Sequence, residues 1–347
     1  MAITGQQVDR RILVVGPSWV GDMVMAQALI SLLRHKRPDA HITVMAPAWS
    51  RALVNRMPEV DASLDSPFGH GELALLRRYR LGSRLRGRFD EAIVLPNSFK
   101  SALIPYFANI PVRVGWRGEH RNLILTDCRK LDPRRYPLMV QRFVALGVEP
   151  GNELPGYTRP CLDVDREAAL TTAGQLGLEV GERVLAVCPG AEFGESKQWP
   201  AAHYARLCEL AVSAGWQVWI LGAANDRVTA AQLLSLVGES AGSTMTDLTG
   251  NTSLDQAIDL LSLATVTVTN DSGLMHIAAA VGSPLVALYG STSPDFTPPL
   301  ADRVKSLWTD IECRPCFART CPLGHKKCLT EITPERVYAS LQELSSR

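Results

Sequence analysis

Apolar and polar positions alternate along the chain in a way that predicts strands and helices in turn. In the first half the pattern predicts strands at 11–16, 41–45 and 91–95 and a helix at 20–37. In the second half it predicts strands at 184–188, 217–221, 265–269 and 284–289, with helices at 201–214, 227–237, 253–263, 273–281 and 334–344. Strands separated by helices are typical of α/β proteins with parallel sheets.

The periodicity is lost between Gly147 and Asp163, where glycine and proline accumulate, and this predicts a linker. A chain of 347 residues is also too long for one typical core. We therefore predict two Rossmann-like domains with mostly parallel sheets, at 1–160 and 161–347, facing each other across a central cleft.

Composition narrows the functional classes. A net charge of +1 argues against a dedicated nucleic-acid-binding protein, and 46% hydrophobic with 20% charged residues argues against disorder. The sequence has neither a signal-peptide pattern nor an apolar run long enough to span a bilayer, so we predict a cytoplasmic protein without transmembrane segments. The basic stretch from Arg77 to Arg88 predicts either a solvated helix face or a membrane-facing patch.

The junction from Thr269 to Ile277 joins a β-branched strand to an apolar helix. Asp271 and Ser272 are good N-cap residues, and Gly273 allows close backbone approach, so helix N–H groups are expected to face a crevice. Such a helix end attracts anions, and a nucleotide diphosphate is the natural ligand at the edge of a parallel sheet. His276 lies one turn further on. The alternatives are an ordinary capped helix and a core histidine.

Three further loops in the second half follow predicted strands. Lys197 is the only cation in a glycine-rich loop, where it would neutralise a departing diphosphate while Gly190 leaves room; the alternative is a solvated lysine. Asp226 is a candidate for ribose hydroxyls or for a helix cap. Thr249 and Gly250 are candidates for an adenine edge or for an ordinary turn.

In the first half, Asp22 lies in the first turn of the helix that follows strand one. There a carboxylate can act as general base toward an acceptor hydroxyl, or merely complement the helix dipole. The loop before it lacks G-x-G-x-x-G, which disfavours an NAD-dependent oxidoreductase. Lys100, Arg117 and Arg121 are candidate contacts for an anionic acceptor, with a solvated surface as the alternative.

Four cysteines cluster near the C-terminus, at Cys313, Cys316, Cys321 and Cys328. Thiolates at this density suit a structural zinc ion, but the second pair departs from C-x2-C spacing, so free thiols or disulfides are alternatives. Catalytic zinc is disfavoured, because the segment 313–328 follows the last predicted sheet strand.

Several motifs together resemble the ADP-heptose:lipopolysaccharide heptosyltransferases, most of all type II. They are Gly16-Pro17-Ser18-Trp19-Val20-Gly21-Asp22-Met23, Met45-Ala46-Pro47-Ala48-Trp49, Leu95-Pro96-Asn97-Ser98-Phe99-Lys100, Gly115-Trp116-Arg117-Gly118, Pro189-Gly190-Ala191-Glu192-Phe193-Gly194, Asn270-Asp271-Ser272-Gly273-Leu274-Met275-His276 and Ser293-Pro294-Asp295-Phe296-Thr297-Pro298-Pro299.

This resemblance implies a GT-B architecture, with the sugar nucleotide ADP-heptose bound by the second domain and the lipopolysaccharide inner core by the first. It also implies inversion without a catalytic metal. At the matching positions, Asp22 is the expected base, Lys197 the contact to the donor phosphates, and Asp271 the residue that holds the donor heptose. The tail cysteines occur in only some family members, and the Asp226 loop matches the ribose-binding loop poorly.

The function expected from these observations is transfer of heptose to the first heptose of the inner core, with peripheral contact at the inner face of the inner membrane. One alternative is a heptosyltransferase of another type, or another GT-B enzyme with a different nucleotide sugar. A non-enzymatic alternative is a protein that binds a sugar nucleotide or the lipid core without turnover.

Overall fold

The computed structural model describes residues 10–69 and 71–346, without the side chain of Ser240. The chain divides into two compact units, Met1–Thr158 and Arg159–Arg347. The division falls within the stretch that lost its periodicity. Each unit contains its own sheet, its own helices and its own core.

The described part of the first unit contains six strands and five α-helices. Its strands are β1 (Arg11–Val15), β2 (His41–Pro47), β3 (Ala62–Ser66), β4 (Glu91–Val94), β5 (Val112–Trp116) and β6 (Asp127–Arg129). Its helices are α1 (Val20–Lys36), α2 (Arg51–Val54), α3 (Leu75–Arg84), α4 (Phe99–Phe107) and α5 (Met139–Val144).

The second unit has the same number of strands within the described residues, and eight α-helices. Its strands are β7 (Val184–Cys188), β8 (Gln217–Ile220), β9 (Met245–Asp247), β10 (Val266–Asn270), β11 (Leu285–Leu288) and β12 (Val304–Leu307). Its helices are α6 (Arg166–Gln175), α7 (Ala201–Ser213), α8 (Arg227–Leu236), α9 (Glu239–Gly242), α10 (Leu254–Leu263), α11 (Gly273–Ala280), α12 (Lys327–Thr330) and α13 (Pro334–Ser345).

Both sheets are parallel and follow one topology. The first has the order β3-β2-β1-β4-β5-β6 and the second has β12-β11-β10-β7-β8-β9, which is the Rossmann order in each case. The register pairs Ile12 with Ile42 and, in the other sheet, Thr269 with Cys188. The predicted α/β class with two Rossmann-like units is confirmed.

Central strands are buried on both faces, as expected for parallel sheets covered by helices. In the second unit Trp199 and Tyr204 are fully buried, with ring centroids 4.7 Å apart, and the Trp199 indole donates to the Ile332 carbonyl at 2.9 Å. Helix α13 is capped by Thr333, whose hydroxyl accepts from Arg336 N at 3.3 Å. These contacts hold the C-terminal helix on the same core that supports β7 and β10.

No helix in the described ranges combines the length and the apolar character that crossing a bilayer requires.

Candidate functional site

Each sheet reverses its strand order at one point, between β1 and β4 in the first unit and between β7 and β10 in the second. Ligands of open α/β sheets bind beyond the carboxyl ends of the strands at such a switch point. Asp22 follows β1, whereas Lys197 and Asp271 follow β7 and β10. The candidate residues of each unit therefore lie at the edge where its fold favours binding.

Asn270, the last residue of β10, ties the loop after β7 to its own strand. Its Oδ1 accepts from Trp199 N at 3.1 Å and from the Tyr204 hydroxyl at 3.0 Å, and its Nδ2 donates to the Pro189 carbonyl at 2.7 Å. All these groups are buried, and leaving any of them without a hydrogen-bond partner would cost free energy. Asn270 fixes the distance between the Lys197 loop and Asp271.

A buried ion pair joins the two loops. The Lys197 ammonium lies 2.7 Å from Asp271 Oδ2, and the two side chains are 14% and 4% exposed. The same oxygen accepts from the Thr292 hydroxyl at 2.6 Å, and the ammonium also lies 4.9 Å from the centroid of the Phe193 ring. Thr292 was missed by the sequence analysis, although its position just beyond β11 at the same sheet edge was a usable signal.

Helix α11 begins next to this pair. Ser272 is its N-cap residue, but within the described residues the Ser272 side chain makes no hydrogen bond to the first turn; its hydroxyl lies 3.3 Å from Thr269 Oγ1. The partial positive charge of a helix N-terminus therefore lies beside an ammonium group. This combination is suited to binding a phosphate or diphosphate.

His276 is buried within α11 and is 4% exposed. Burial lowers its pKa to about 4 because it disfavours the charged imidazolium; Asp271 opposes this shift, and Lys197 adds to it. His276 is consequently neutral at pH 7. It can donate or accept one hydrogen bond, but it adds no positive charge to the site.

The lowered pKa of His276 predicts acid sensitivity. Between pH 6.5 and about 4 the unfolded chain binds more protons than the native chain, so the free energy of unfolding falls as the pH falls through this window. The loss is on the order of 3 kcal/mol, and above pH 6.5 the group has no further effect. Urea titrations at several pH values should show this slope, and His276→Gln should flatten it. An unchanged slope in the variant would contradict the assignment.

Asp226 lies directly against Gly190. A Cβ atom at position 190 would come within 2.2 Å of the Asp226 carboxylate, so the glycine is required by this contact. Asp226 Oδ2 accepts from Ala223 N at 2.8 Å, and burial raises the pKa of the carboxyl. Asp226 is the N-cap residue of α8, but its side chain makes no capping hydrogen bond to that helix; the carboxylate instead closes the short turn at 224–226 that precedes it.

Thr249 and Gly250 form a turn beside the Gly222 loop. Gly250 has a φ of +67° and donates to the Gly222 carbonyl at 2.9 Å. The Thr249 hydroxyl donates to Asp247 Oδ1 at 2.6 Å, while Arg227 donates to the carbonyls of both turn residues. The turn is therefore held rigidly at the carboxyl end of the second sheet, close to Asp226.

A cavity of about 720 Å³ opens in the first unit, at its switch point. Trp19 and Trp116 contribute aromatic surface to its wall, and five residues contribute ionisable groups: Asp22, Arg78, Lys100, Glu119 and Arg142. Glu119 Oε2 accepts from Phe99 N at 2.7 Å, at the start of α4. A cavity lined by three cationic residues, two carboxylates and indole rings is suited to a polar ligand with sugar-like faces.

The structure places the three predicted acceptor residues in different environments. Lys100 lines the cavity, as does Arg142, which sequence analysis missed because α5 was not predicted. Arg117 is exposed, and its backbone N–H donates to the Arg129 carbonyl at 2.6 Å. Arg117 is not among the described residues that line the cavity.

Arg121 was predicted to contact an anionic acceptor, and this prediction is wrong. Its side chain is fully buried, with the guanidinium donating to the carbonyls of Pro96 and, at 3.3 Å, Val94. Burial lowers its pKa to about 10. A residue enclosed in this way cannot contact an acceptor, so Arg121 positions the loop after β4 from inside the unit.

Arg121→Met is expected to destabilise the protein by about 2–4 kcal/mol, because the hydrogen bonds from the buried guanidinium to the carbonyls of Pro96 and Val94 would be lost. The matched control is Arg117→Met at an exposed arginine, which should change stability by less than about 0.5 kcal/mol. Thermal or urea unfolding of the two variants tests this. Equal, small effects would mean that Arg121 is not a structural residue.

The cysteine segment packs against the loops of the second site. Arg319 O accepts from Ser196 N at 3.2 Å, and Phe317 N donates to the Ser291 carbonyl at 2.8 Å. Ser196 and Ser291 directly precede Lys197 and Thr292 in the chain. The cysteine segment therefore packs against both loops that contact Asp271. Its four cysteines are free thiols that line one small pocket of about 20 Å³.

The structure does not support structural zinc at Cys313, Cys316, Cys321 and Cys328. Across residues 10–69 and 71–346, no group of three or more His, Cys, Asp or Glu side chains is arranged to hold a metal ion. Burial raises the pKa of Cys328, and the neighbouring thiols add to this shift. Cys321 has a lowered pKa because backbone N–H groups, first that of Lys326, hydrogen-bond to its sulfur.

Two parallel Rossmann-like sheets, with an ion pair and a helix N-terminus at the edge of the second, are typical of α/β proteins that bind nucleotides, and comparison with known families gives the class of enzyme. The model for "Glycosyltransferase family 9 (heptosyltransferase)" matches residues 78–327, which is most of the chain. The chain therefore belongs to glycosyltransferase family 9, and the predicted resemblance and enzyme class are confirmed.

Individual relatives are similar over nearly the whole length. Lipopolysaccharide heptosyltransferase 2 of Escherichia coli K12 is 45% identical over 341 residues, 96% of this chain and 98% of that protein. The solved structure of E. coli ADP-heptose lps heptosyltransferase II has a TM-score of 0.88 at 43% identity, covering 97% and 98% of the two chains. The E. coli heptosyltransferase WaaC with ADP has a TM-score of 0.69 at 19% identity, covering 96% and 99%, and shows likeness of fold alone.

Proposed function

We propose that this enzyme transfers heptose from ADP-L-glycero-D-manno-heptose to the first heptose of the lipopolysaccharide inner core. The observation that carries the proposal is the buried Lys197–Asp271 pair beside the start of α11. It occurs in a chain 45% identical to a protein named lipopolysaccharide heptosyltransferase 2. The pair offers one group for the leaving diphosphate and one for the sugar.

The donor is proposed to bind to the second unit. Its diphosphate would accept hydrogen bonds from the N–H groups at the start of α11, at Ser272 and Gly273, with Lys197 beside them. Asp271 Oδ2 is already engaged by Lys197 and Thr292, so its Oδ1 is the atom proposed to accept a heptose hydroxyl. Because His276 is neutral, its role would be a hydrogen bond to the donor.

The nucleoside part of the donor is proposed to lie along the loops that carry Gly190, Asp226, Thr249 and Gly250. Asp226 would accept from the ribose hydroxyls, and the Thr249–Gly250 turn would face the adenine edge. The turn is rigid because Arg227 and Gly222 fix its backbone. A rigid backbone favours one base over another, since a mismatched base leaves polar groups unpaired.

The acceptor is proposed to occupy the cavity of the first unit, where Lys100 and Arg142 offer positive charge to an anionic inner core. Asp22 lies in the same wall, in the first turn of α1. Its carboxylate is proposed as the base. The exposed Arg117 would contact the acceptor only beyond the cavity.

In the proposed reaction Asp22 takes the proton of the acceptor hydroxyl, whose oxygen forms a bond to the anomeric carbon of the donor heptose. The bond from that carbon to the phosphate oxygen breaks, and ADP leaves with the electron pair. Attack from the face opposite ADP inverts the anomeric centre. Lys197 and the α11 dipole stabilise the charge on ADP, so the mechanism needs no metal ion.

Because the acceptor is anchored in a membrane, we propose that the enzyme works as a peripheral protein at the inner face of the inner membrane. A bilayer would present the acceptor to the first unit, while the nucleotide sugar arrives from the cytoplasm. Attraction of basic residues to anionic lipids would hold the protein there reversibly.

The direct test is mass-spectrometric detection of one added heptose on a truncated inner-core acceptor, with and without EDTA. We expect the product in both samples. Donor binding without transfer or hydrolysis would favour the non-enzymatic alternative, and loss of activity in EDTA would overturn the metal-free mechanism.

Thermal shift with ADP, UDP and GDP tests the identity of the donor nucleotide, since only the matching nucleotide should stabilise the protein markedly.

A further inference from the structure

One surface of the first unit combines positive charge with exposed apolar side chains. From Leu73 to Phe89 the chain has six arginines and no acidic residue. Five of these arginines are exposed, and Arg78 is the exception. The proposed binding of donor and acceptor uses none of the five. Three of the five belong to helix α3, which spans Leu75–Arg84, and the other two, Arg86 and Arg88, follow it.

The inner face of α3 is packed firmly on α4. A Cβ atom at Gly82 would come within 2.6 Å of Phe107 Cβ and 2.9 Å of the Ile104 carbonyl, so the two helices are in close backbone contact. Arg78 is buried, and its guanidinium donates to the carbonyls of Leu73 and Lys100 at 2.7 and 3.1 Å. These contacts fix which side of α3 faces outward.

The outward side of α3 has two sectors. Leu75, Leu76 and Tyr79 form an apolar sector, with Leu76 59% and Tyr79 45% exposed. At 100° per residue, Arg77, Arg80 and Arg84 fall together on the adjoining sector. We refer to these six residues as the α3 surface. A helix with an exposed apolar sector and arginines beside it is typical of proteins that lie on an anionic membrane.

The α3 surface is continuous with the wall of the cavity in the first unit. Leu73 and Arg78 line the cavity, and so do Phe68 and Gly69 a few residues earlier. The Phe68 ring centroid lies 4.0 Å from the Arg78 guanidinium carbon. Side chains on one face of this segment therefore border the cavity, while those on the other face are exposed.

We infer that the α3 surface docks on an anionic lipid bilayer, with the leucines and Tyr79 in the headgroup region and the arginines at lipid phosphates. Charge complementarity selects this partner: Glu72 pairs with Arg77 at 2.7 Å, but the other four exposed arginines have no carboxylate partner within the described residues and would repel a basic surface and bind an anionic one. Docking at this helix places the cavity at the membrane. The identity of the lipid-linked acceptor rests on the proposed function, whereas bilayer binding does not.

The experiment is co-sedimentation of the full chain with vesicles of phosphatidylcholine alone or with 30% phosphatidylglycerol. We expect binding to the anionic vesicles and release in 1 M NaCl. Arg80→Gln/Arg84→Gln should lower the partition coefficient roughly 10- to 30-fold, and Leu75→Ser/Leu76→Ser by at least about tenfold. The matched control is Leu170→Ser/Val228→Ser, which removes two exposed apolar side chains from the second unit and should bind like wild type.

Activity on a soluble, delipidated acceptor separates this inference from the proposed function. All of these variants should retain wild-type turnover there, because none of the changed residues lines the cavity within the described part of the chain. Vesicle binding without transfer activity would leave docking intact and overturn the transferase proposal. Equal binding by wild type and the α3 variants would overturn docking. So would a dimer in sedimentation velocity that the α3 variants abolish without any vesicle binding.

Discussion

Asp22→Asn is expected to lower kcat by roughly a hundredfold or more while leaving ADP affinity nearly unchanged. The amide occupies the same volume but cannot accept the proton of the attacking hydroxyl, so the loss should appear in turnover. Asp22 belongs to the first unit, whereas the proposed ADP contacts all belong to the second. Steady-state kinetics with a truncated inner-core acceptor, together with calorimetric titration of ADP, measures both quantities.

Glu119→Gln is the matched control for Asp22, because it neutralises another carboxylate in the wall of the same cavity. Its amide oxygen can still accept from Phe99 N, so α4 should keep its start. We expect kcat within about threefold of wild type for this variant. A near-normal rate for Asp22→Asn, or equal losses for both variants, would remove Asp22 as the base.

Lys197→Met is expected to affect catalysis and stability together. Loss of the ammonium should lower kcat/KM by roughly 10²- to 10³-fold, because charge on the leaving ADP would no longer be neutralised. It also leaves Asp271 buried without its counterion, which should cost about 3–5 kcal/mol of stability. Kinetics and urea unfolding of the same preparation measure the two effects.

A double variant separates the two roles of Lys197. In Lys197→Met/Asp271→Asn neither buried charge remains, so the free energy of unfolding should rise above that of Lys197→Met, which leaves the Asp271 carboxylate unpaired. The activity of the double variant should remain at least about tenfold below that of Asp271→Asn, since only the single variant keeps the ammonium. If the two variants are equally active, Lys197 has a structural role and no part in stabilising ADP.

The sequence predicted the central strands of both sheets because they are continuous apolar runs buried on both faces. It missed β3, β5, β6, β9 and β12, which lie at or beside sheet edges, and several of them have polar sequences, such as Ala62–Ser66 and Asp127–Arg129. An edge strand pairs on one side and is partly exposed, so its side chains need no apolar pattern. Whether these segments form strands depends on pairing with neighbouring strands, which a single sequence does not show.

The sequence could predict that site residues following different strands lie together, because the carboxyl ends of parallel strands meet at one edge of the sheet. That argument brought Lys197 and Asp271 together, and the structure places their charged atoms 2.7 Å apart. The same argument does not predict which side chains are buried. Arg121 was interpreted as a surface cation because arginines are mostly exposed, and only its packing against the Pro96 loop shows otherwise.

The chain passes from the first unit to the second through residues 148–165, which contain neither helix nor strand. Each unit has a complete hydrophobic core, and each proposed substrate has its contacts in one unit. A chimera joined within this segment would exchange the nucleotide sugar while preserving the choice of acceptor. The proposed assignment of donor and acceptor thus predicts that recombination at one junction changes the sugar that such an enzyme transfers.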